Sequence, residues 1–250
     1  MIKRDYHMHT TFCDGKNTPE QMILSAIEKG MEEIGICLHS HLPFCAQGSC
    51  KSVENEQDFC REVNRLKPLY ADKISVKCGI EMDYFSPHKP KNFDYIIGSV
   101  HFFKVGEKYY PIDSSAEKFH FAINDGFNGD VYAAAEDYFN NVADVVNKHN
   151  ADIIGHLDLI TKFNEVEKTI DTSNPRYIKA WKNAVDKLIP YGKPFEINTG
   201  AISRGYRTTP YPAFDMVEYI KANGGKLIMS SDSHSAENIA FAYSDWAKLL

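Results

Sequence analysis

The chain has 250 residues, of which 43% are hydrophobic and 25% are charged, and its formal net charge at pH 7 is −6. This length allows the hydrophobic core of one large α/β domain, and the acidic balance without a basic run argues against a nucleic-acid partner. No apolar run approaches the ~18 residues of a membrane span and the first residues lack the apolar region of a secretory signal, so we expect no membrane partner and a cytoplasmic location.

Strand-like and helix-like segments alternate along most of the chain. A helix start is marked at Thr18-Pro19-Glu20-Gln21, where Thr18 is the predicted N-cap, Pro19 takes the first helical position and Gln21 completes a capping box. Residues 104–129 are predicted to be irregular apart from a short helix near residues 116–122. In chain order, strands are predicted at residues 2–7, 34–38, 74–80, 95–100, 153–154, 195–197 and 227–229. Helices are predicted at residues 19–30, 53–70, 133–149, 175–189 and 214–222.

This alternation favours parallel β/α units, arranged either as a closed barrel or as an open doubly wound sheet. Residues with metal-ligand chemistry follow strands from the first to the last of the chain. A closed ring of strands brings all of these ends together, whereas an open sheet does not. We therefore predict a barrel, and because no linker or internal repeat is evident, one domain over residues 1–250.

Candidate metal ligands stand at the ends of the predicted strands. Two pairs have the i, i+2 spacing that places both side chains on one face of a strand, namely His7 with His9 and Asp232 with His234. Single ligands follow the other apolar runs, and one more lies in the loop after the first pair. The full candidate set is His7, His9, Asp14, His39, Glu81, His101, His156, Asp232 and His234.

Histidine and carboxylate ligands suit zinc, iron or manganese, and the lack of cysteine at these positions argues against a closed structural zinc site. One four-coordinate ion cannot use nine ligands, so two to three divalent ions are expected, with Glu81 as the natural bridge. His41 is an alternative to His39 but lies deeper in the loop. His88, His120 and His149 lack a strand end before them and are predicted to be surface residues.

The segments that carry these ligands resemble the PHP (polymerase and histidinol phosphatase) superfamily, and within it the monofunctional histidinol-phosphatases. The resemblance covers nearly the whole chain and rests on residues 5–15, 79–84, 97–101, 154–160, 196–200 and 231–234. It implies a distorted (β/α)7 barrel with three metals and a small phosphorylated substrate, L-histidinol phosphate. One departure is Leu38, which stands where relatives often have an acidic residue before the histidine.

The resemblance also implies which residues share each ion. The first ion would be held by His7, His9, Glu81 and Asp232. The second would be held by Glu81, His101 and His156. The third would be held by Asp14, His39 and His234.

A phosphomonoesterase must neutralise the phosphate and supply a nucleophile at neutral pH, and clustered divalent metals do both. We expect in-line attack by a metal-bridging hydroxide, because no aspartyl-nucleophile motif or cysteine phosphate loop is evident. The cations predicted to bind phosphate are Arg204, Lys162 and, next in order, Arg207. Residues with predicted catalytic roles are Asp14, Glu81, His234 and Arg204, and the proton for the leaving alkoxide could come from Asp14, His234 or a metal-bound water.

Other functions are compatible with part of these sequence features. The enzyme could act on another small phosphomonoester, a nucleotide or a phosphotyrosyl protein. It could also be an amidohydrolase-type C–N hydrolase or a non-catalytic metal- or phosphosugar-binding module. The six cysteines, which lack a C-x-x-C pair, are expected to be reduced thiols. We expect a monomer or a small homo-oligomer.

Overall fold

The computed structural model describes residues 2–45 and 52–250. Within these residues the strands are β1 (Arg4–Asp5), β2 (Glu33–His39), β3 (Ser75–Asp83), β4 (Tyr95–Ser99), β5 (Phe102–Val105), β6 (Lys108–Pro111), β7 (Ile153–Ile154), β8 (Pro194–Asn198) and β9 (Lys226–Ser230). The helices are α1 (Pro19–Glu28), α2 (Val53–Leu66), α3 (Ala116–Phe127), α4 (Val131–Val142), α5 (Val145–His149), α6 (Pro175–Leu188), α7 (Gly200–Ser203), α8 (Phe214–Ala222) and α9 (Tyr243–Trp246). No helix among the described residues combines the length and apolar character needed to cross a membrane.

Seven strands form one sheet in the order β1-β2-β3-β4-β7-β8-β9, and all neighbouring strands are parallel. The two edges of this sheet approach each other just beyond β1 and β9. There the His9 amide donates to the Ser233 carbonyl oxygen (2.7 Å) and the Ser233 amide donates to the His7 carbonyl oxygen (3.1 Å). The sheet is therefore a nearly closed seven-stranded barrel, which confirms the predicted distorted (β/α)7 fold.

The N-terminus of α1 has the predicted cap. Thr18 accepts a hydrogen bond from the Gln21 amide, and the Gln21 side chain accepts one from the Thr18 amide. Pro19 occupies the first helical position, where its missing N–H costs no hydrogen bond. This cap fixes the point at which the chain leaves the loop that contains Asp14.

Several predicted boundaries differ from the structure. Strand β1 is shorter than residues 2–7, and β3 continues beyond residue 80 to Asp83, so that Glu81 lies within a strand. The prediction that residues 104–129 are irregular apart from one short helix is wrong at residues 104–111. They belong to the antiparallel hairpin β5–β6, which has Gly106 at φ 59° in its two-residue turn. The short helix predicted near residues 116–122 is confirmed as the first part of α3. The helix predicted at residues 133–149 is divided into α4 and α5.

The barrel interior is apolar below the strand ends. Cys37, Tyr95, Ile97 and Ile153 form a buried cluster there. Along β2, Gly35, Cys37 and His39 share one face because side chains of a strand alternate. The inward-facing residues therefore change from apolar to metal-ligating toward the carboxyl ends of the strands.

The expectation of reduced cysteines can be examined at four of the six positions. Cys13, Cys37, Cys60 and Cys78 are free thiols. Cys50 lies outside the described residues.

Candidate metal centre

The carboxyl ends of the barrel strands bring all nine predicted ligands together. Their donor atoms form three groups, and within each group the atoms lie within 4.8 Å of one another. The groups are His7, His9 and Asp232; Glu81, His101 and His156; and His9, Asp14, His39 and His234. This grouping closely follows the three ligand sets that the family resemblance implies.

Glu81 lies at the centre of these groups. Its Oε1 is 2.9 Å from His156 Nε2 and 3.2 Å from His101 Nε2. Its Oε2 is 3.3 Å from His7 Nε2 and 3.4 Å from His9 Nε2. His39 Nδ1 lies 2.9 Å from the same Oε2. The two carboxylate oxygens thus face different sets of histidines, which is the position required of a carboxylate that bridges two cations.

The remaining two carboxylates complete the other groups. Asp232 Oδ1 is 3.7 Å from the Nε2 atoms of both His7 and His9. Asp14 Oδ1 is 3.3 Å from the Nε2 atoms of both His39 and His234. Asp232 has a positive φ of 46°, a backbone conformation that non-glycine residues adopt rarely and that is common at functional sites.

Three buried donor atoms show that this cluster is suited to metals. His7 Nε2, His9 Nε2 and Glu81 Oε2 are shielded from solvent and have no hydrogen-bond partner among the described residues. Buried polar atoms without partners are rare, and here they point toward one another. Divalent cations supply the missing partners, so the residues present fit two to three such ions.

The electrostatics of the cluster favour the same conclusion. Burial, together with His39 and His234, lowers the pKa of His9 to about 3, so that this imidazole is neutral and able to donate a lone pair. Burial raises the pKa of Asp232, but the positive charge of Arg204 and of His7 outweighs burial and holds this pKa well below its usual range. Asp232 is therefore an anion at neutral pH.

Further side chains orient the ligand histidines, and the sequence analysis did not identify them. Glu196 Oε1 lies 2.8 Å from His7 Nδ1, and Asp83 Oδ2 lies 3.2 Å from His101 Nδ1. Such carboxylates fix the tautomer of a histidine so that its other nitrogen faces the metal. Asp83 had a sequence signal, since it stands two residues after Glu81 and shares its face of β3.

Arg204 contacts the metal ligands directly. Its Nη2 donates to Asp232 Oδ2 (3.0 Å), and its Nη1 donates to the Asp232 carbonyl oxygen (2.8 Å). His234 Nδ1 lies 3.0 Å from both that carbonyl oxygen and Arg204 Nη1, and His234 Nε2 lies 3.3 Å from Asp14 Oδ1. Arg204 thus fixes Asp232 while part of its guanidinium group remains exposed to the cavity.

The two other predicted phosphate-binding cations occupy different places. Lys162 lines the cavity, and its Nζ donates to the carbonyl oxygen (2.8 Å) and Oδ2 (3.2 Å) of Asp113. Arg207 is buried beneath the site, where its Nη1 donates to Thr161 Oγ1 (2.6 Å) and lies 3.6 Å from Asp158 Oδ2. Arg207 is not among the residues that line the cavity.

The histidines that were not predicted as ligands lie outside the three groups. His41 lies beside His88, with ring centroids 6.3 Å apart, which agrees with the preference for His39. His88 is not a surface residue as predicted, because its Nε2 lies 2.8 Å from the buried carboxylate of Glu56. His120 and His149 are also partly buried rather than fully exposed.

Seven of the nine ligands line a cavity of about 660 Å³, and the other two, His7 and His9, are fully buried. This volume is in the usual range for sites that bind small molecules. Its walls carry the cations Arg204, Lys162 and Lys118 and the acid Asp113. Phe44, Phe102 and Tyr109 line it as well.

Comparisons with known proteins agree with this geometry. The sequence profile of the PHP domain family matches residues 5–200. The chain is 30% identical to the "Probable histidinol-phosphatase" of Schizosaccharomyces pombe over 95% of this chain and 82% of that protein. The fold is similar to that of hisK from Listeria monocytogenes, with a TM-score of 0.86, 23% identity and coverage of 98% of this chain and 100% of the other.

A second solved structure is similar in sequence as well as in fold. It is the histidinol phosphate phosphatase of Lactococcus lactis subsp. lactis complexed with Zn, L-histidinol and phosphate. Its TM-score is 0.76 at 25% identity, and the match covers 99% of this chain and 92% of that one. The profile match and the shared barrel show that this chain belongs to the PHP domain family.

Proposed function

We propose that this protein is a metal-dependent phosphomonoesterase that hydrolyses L-histidinol phosphate to L-histidinol and phosphate. The observation that carries the proposal is the convergence of nine histidine and carboxylate ligands beneath a cavity with cationic walls. The similar Lactococcus lactis enzyme was solved with Zn, L-histidinol and phosphate, which supports both the metals and the substrate.

The side chains of this protein have distinct roles in the proposed reaction. Bound divalent metals supply positive charge for the phosphoryl group and activation of the nucleophile. Arg204 binds phosphoryl oxygens and holds Asp232 in place, while Lys162, which lines the same cavity, also binds them. Glu81 holds two groups of histidines at a fixed separation.

The leaving alkoxide requires a proton, and the structure reduces the number of candidates. Although burial raises it, the pKa of Asp14 is held well below its usual range by His39 and His234. Asp14 is therefore a carboxylate with no proton to donate, and its role is that of a ligand. His234 and a metal-bound water are the two other candidates for the donor.

Some expectations from the sequence remain proposals. We propose one domain over residues 1–250, because a single sheet takes strands from both ends of the chain. A cytoplasmic location and a monomeric or small homo-oligomeric state also remain predictions.

The function is tested by measuring phosphate release from metal-reconstituted protein. The panel contains L-histidinol phosphate, nucleoside monophosphates and a phosphotyrosine peptide at equal concentration. We expect kcat/KM to be far higher for L-histidinol phosphate than for any other member. Equal turnover of the whole panel would contradict the substrate assignment but leave a PHP-type phosphoesterase, whereas no phosphate release from any substrate would contradict the enzyme class.

A further inference from the structure

The wall of the cavity contains features that the metal centre does not use. Five acids line the cavity, namely Asp14, Glu81, Asp83, Asp113 and Asp232. Four of them are proposed metal ligands or orient His101. Asp113 is the exception among these five, and its side chain is 31% exposed.

Asp113 is a carboxylate beside Lys162, which is proposed to bind phosphate, with Lys162 Nζ 3.2 Å from Asp113 Oδ2. Burial raises its pKa, but the positive charges of Lys162 and His101 outweigh burial and lower it. Lys162 directs two of its three N–H donors at Asp113, which leaves one donor for the cavity. An anion and a cation therefore stand side by side at the edge of the metal cluster.

Three aromatic side chains form a second feature, here called the aromatic wall and consisting of Phe44, Phe102 and Tyr109. The rings of Phe44 and Tyr109 are stacked, with centroids 3.6 Å apart and an interplanar angle of 5°. Phe102 meets Phe44 edge to face at 5.2 Å. All three are partly exposed and line the cavity.

The alternation of the β5–β6 hairpin creates this wall. Phe103 and Tyr110, the neighbours of Phe102 and Tyr109 along the two strands, are buried in the main hydrophobic core. Because side chains of a strand alternate between faces, burial of Phe103 and Tyr110 turns Phe102 and Tyr109 toward the cavity. The hairpin begins directly after His101, so the wall adjoins the metal centre.

We infer that Asp113 and the aromatic wall are the specificity-determining contacts for the leaving group, with Asp113 binding an ammonium group and the wall packing against a planar ring. This inference rests on the proposed function. In L-histidinol phosphate the amine is on the carbon next to the ester carbon, and the imidazole ring is one carbon further. A carboxylate beside the phosphate position and an apolar surface beyond it match that order of groups.

The inference is tested with substrates that lack one group at a time. The panel is L-histidinol phosphate, imidazolylpropyl phosphate without the amine, aminoethyl phosphate without the ring, and propyl phosphate without either. Asp113→Asn keeps an acceptor for Lys162 but removes the negative charge. We expect it to lower kcat/KM by about tenfold to a hundredfold for the two substrates with an amine and to leave the other two nearly unchanged.

A second variant tests the wall independently of charge. Tyr109→Ala should lower kcat/KM by about tenfold for the two substrates with a ring and have little effect on aminoethyl and propyl phosphate. The matched controls are Asp125→Asn, an acid on α3 that pairs with Lys108 of the same hairpin, and Phe121→Ala, an exposed aromatic residue. Neither control residue lines the cavity, and both variants should behave as wild type.

The outcomes separate this inference from the proposed function. Suppose that the wild type prefers L-histidinol phosphate, but Asp113→Asn and Tyr109→Ala lower kcat/KM equally for all four substrates or for none of them. In that case the inference is overturned and the proposed function stands. If the wild type hydrolyses L-histidinol phosphate no better than propyl phosphate, the proposed function fails, and the inference fails with it.

Discussion

Arg204 and Arg207 follow β8 in the same short segment, yet their guanidinium groups lie in different surroundings. Arg204 reaches the cavity and Asp232, whereas Arg207 is buried against Asp158 and Thr161. The sequence predicts a cation after this strand, but it does not show which of the two arginines lines the cavity. That choice depends on the loop path through Gly205, which has a positive φ of 76°.

These surroundings predict that replacing Arg204 lowers catalytic activity, whereas replacing Arg207 lowers stability. Arg204→Met should lower kcat/KM by about a hundredfold or more, because a cation aimed at the phosphoryl group is lost. Arg207→Met should instead lower the free energy of unfolding by roughly 3 kcal/mol at neutral pH, because Asp158 is left as an unpaired buried charge. Steady-state kinetics and urea unfolding of the two variants check this pair of results.

The stability effect of Arg207→Met has a predictable pH dependence. Burial raises the pKa of Asp158 even though Arg207 opposes it, and removal of Arg207 raises this pKa further. A carboxyl group whose folded-state pKa exceeds its unfolded-state pKa costs stability as pH rises through that interval. The deficit relative to wild type should therefore be larger at pH 8 than at pH 5. If Arg207→Met has wild-type stability but a low kcat/KM, the structural role is contradicted and Arg207 is a phosphate-binding residue, as the sequence predicts.

At the same scale, the sequence predicted the residues that face the metals better than those that support them. His and Asp at i, i+2 spacing stand out in a sequence because their chemistry is concentrated at strand ends. Glu196 and Asp83 support His7 and His101 through tertiary contacts across 189 and 18 positions of sequence. Asp83 had a spacing signal, two residues after Glu81 on the same strand face, whereas Glu196 had none.

Among the structural elements, the strands of the barrel could be predicted and the β5–β6 hairpin was missed. Buried parallel strands appear as apolar runs, which β2, β3 and β4 show clearly. The hairpin has adjacent aromatic residues in both strands, so it lacks the alternation of apolar and polar residues, and it lies outside the main sheet. Its signal was the turn at Gly106-Glu107, which is short enough to join two antiparallel strands.

The packing between β2, β3 and β4 gives a prediction at this scale. The Tyr95 ring lies across Gly35 and Gly79, and its hydroxyl donates to the Tyr6 carbonyl oxygen (2.5 Å). A Cβ at Gly35 would come within 2.6 Å of Tyr95 Cζ. Gly35→Ala should therefore lower the free energy of unfolding by about 1–3 kcal/mol through overpacking.

A double-mutant cycle identifies the cause of this loss. In a Tyr95→Leu background, the smaller side chain leaves room for the added methyl group, so the cost of Gly35→Ala should be much smaller. Urea unfolding of the four proteins gives the coupling. An equal cost in both backgrounds would show that Tyr95 does not require the glycine.

For the whole molecule, the decisive feature is closure of the sheet between its first and last strands. Closure brings His7 and His9 next to Asp232 and His234, which are more than 220 positions away in the chain. The sequence predicted this closure because its ligands follow strands distributed over the entire chain. The cavity walls could not be predicted in the same way, since they are built from the loops and the hairpin that vary most in length and path.

The central claim is that nine scattered side chains bind a cluster of divalent cations. It is tested most directly by elemental analysis of the purified protein combined with anomalous diffraction at the edges of zinc, iron and manganese. We predict two to three ions per chain, each with an anomalous peak between the donor atoms of one of the three groups, and loss of phosphatase activity on chelation that is reversed by added metal. A chain that binds fewer than two ions after metal reconstitution, or anomalous peaks away from Glu81, would contradict the account.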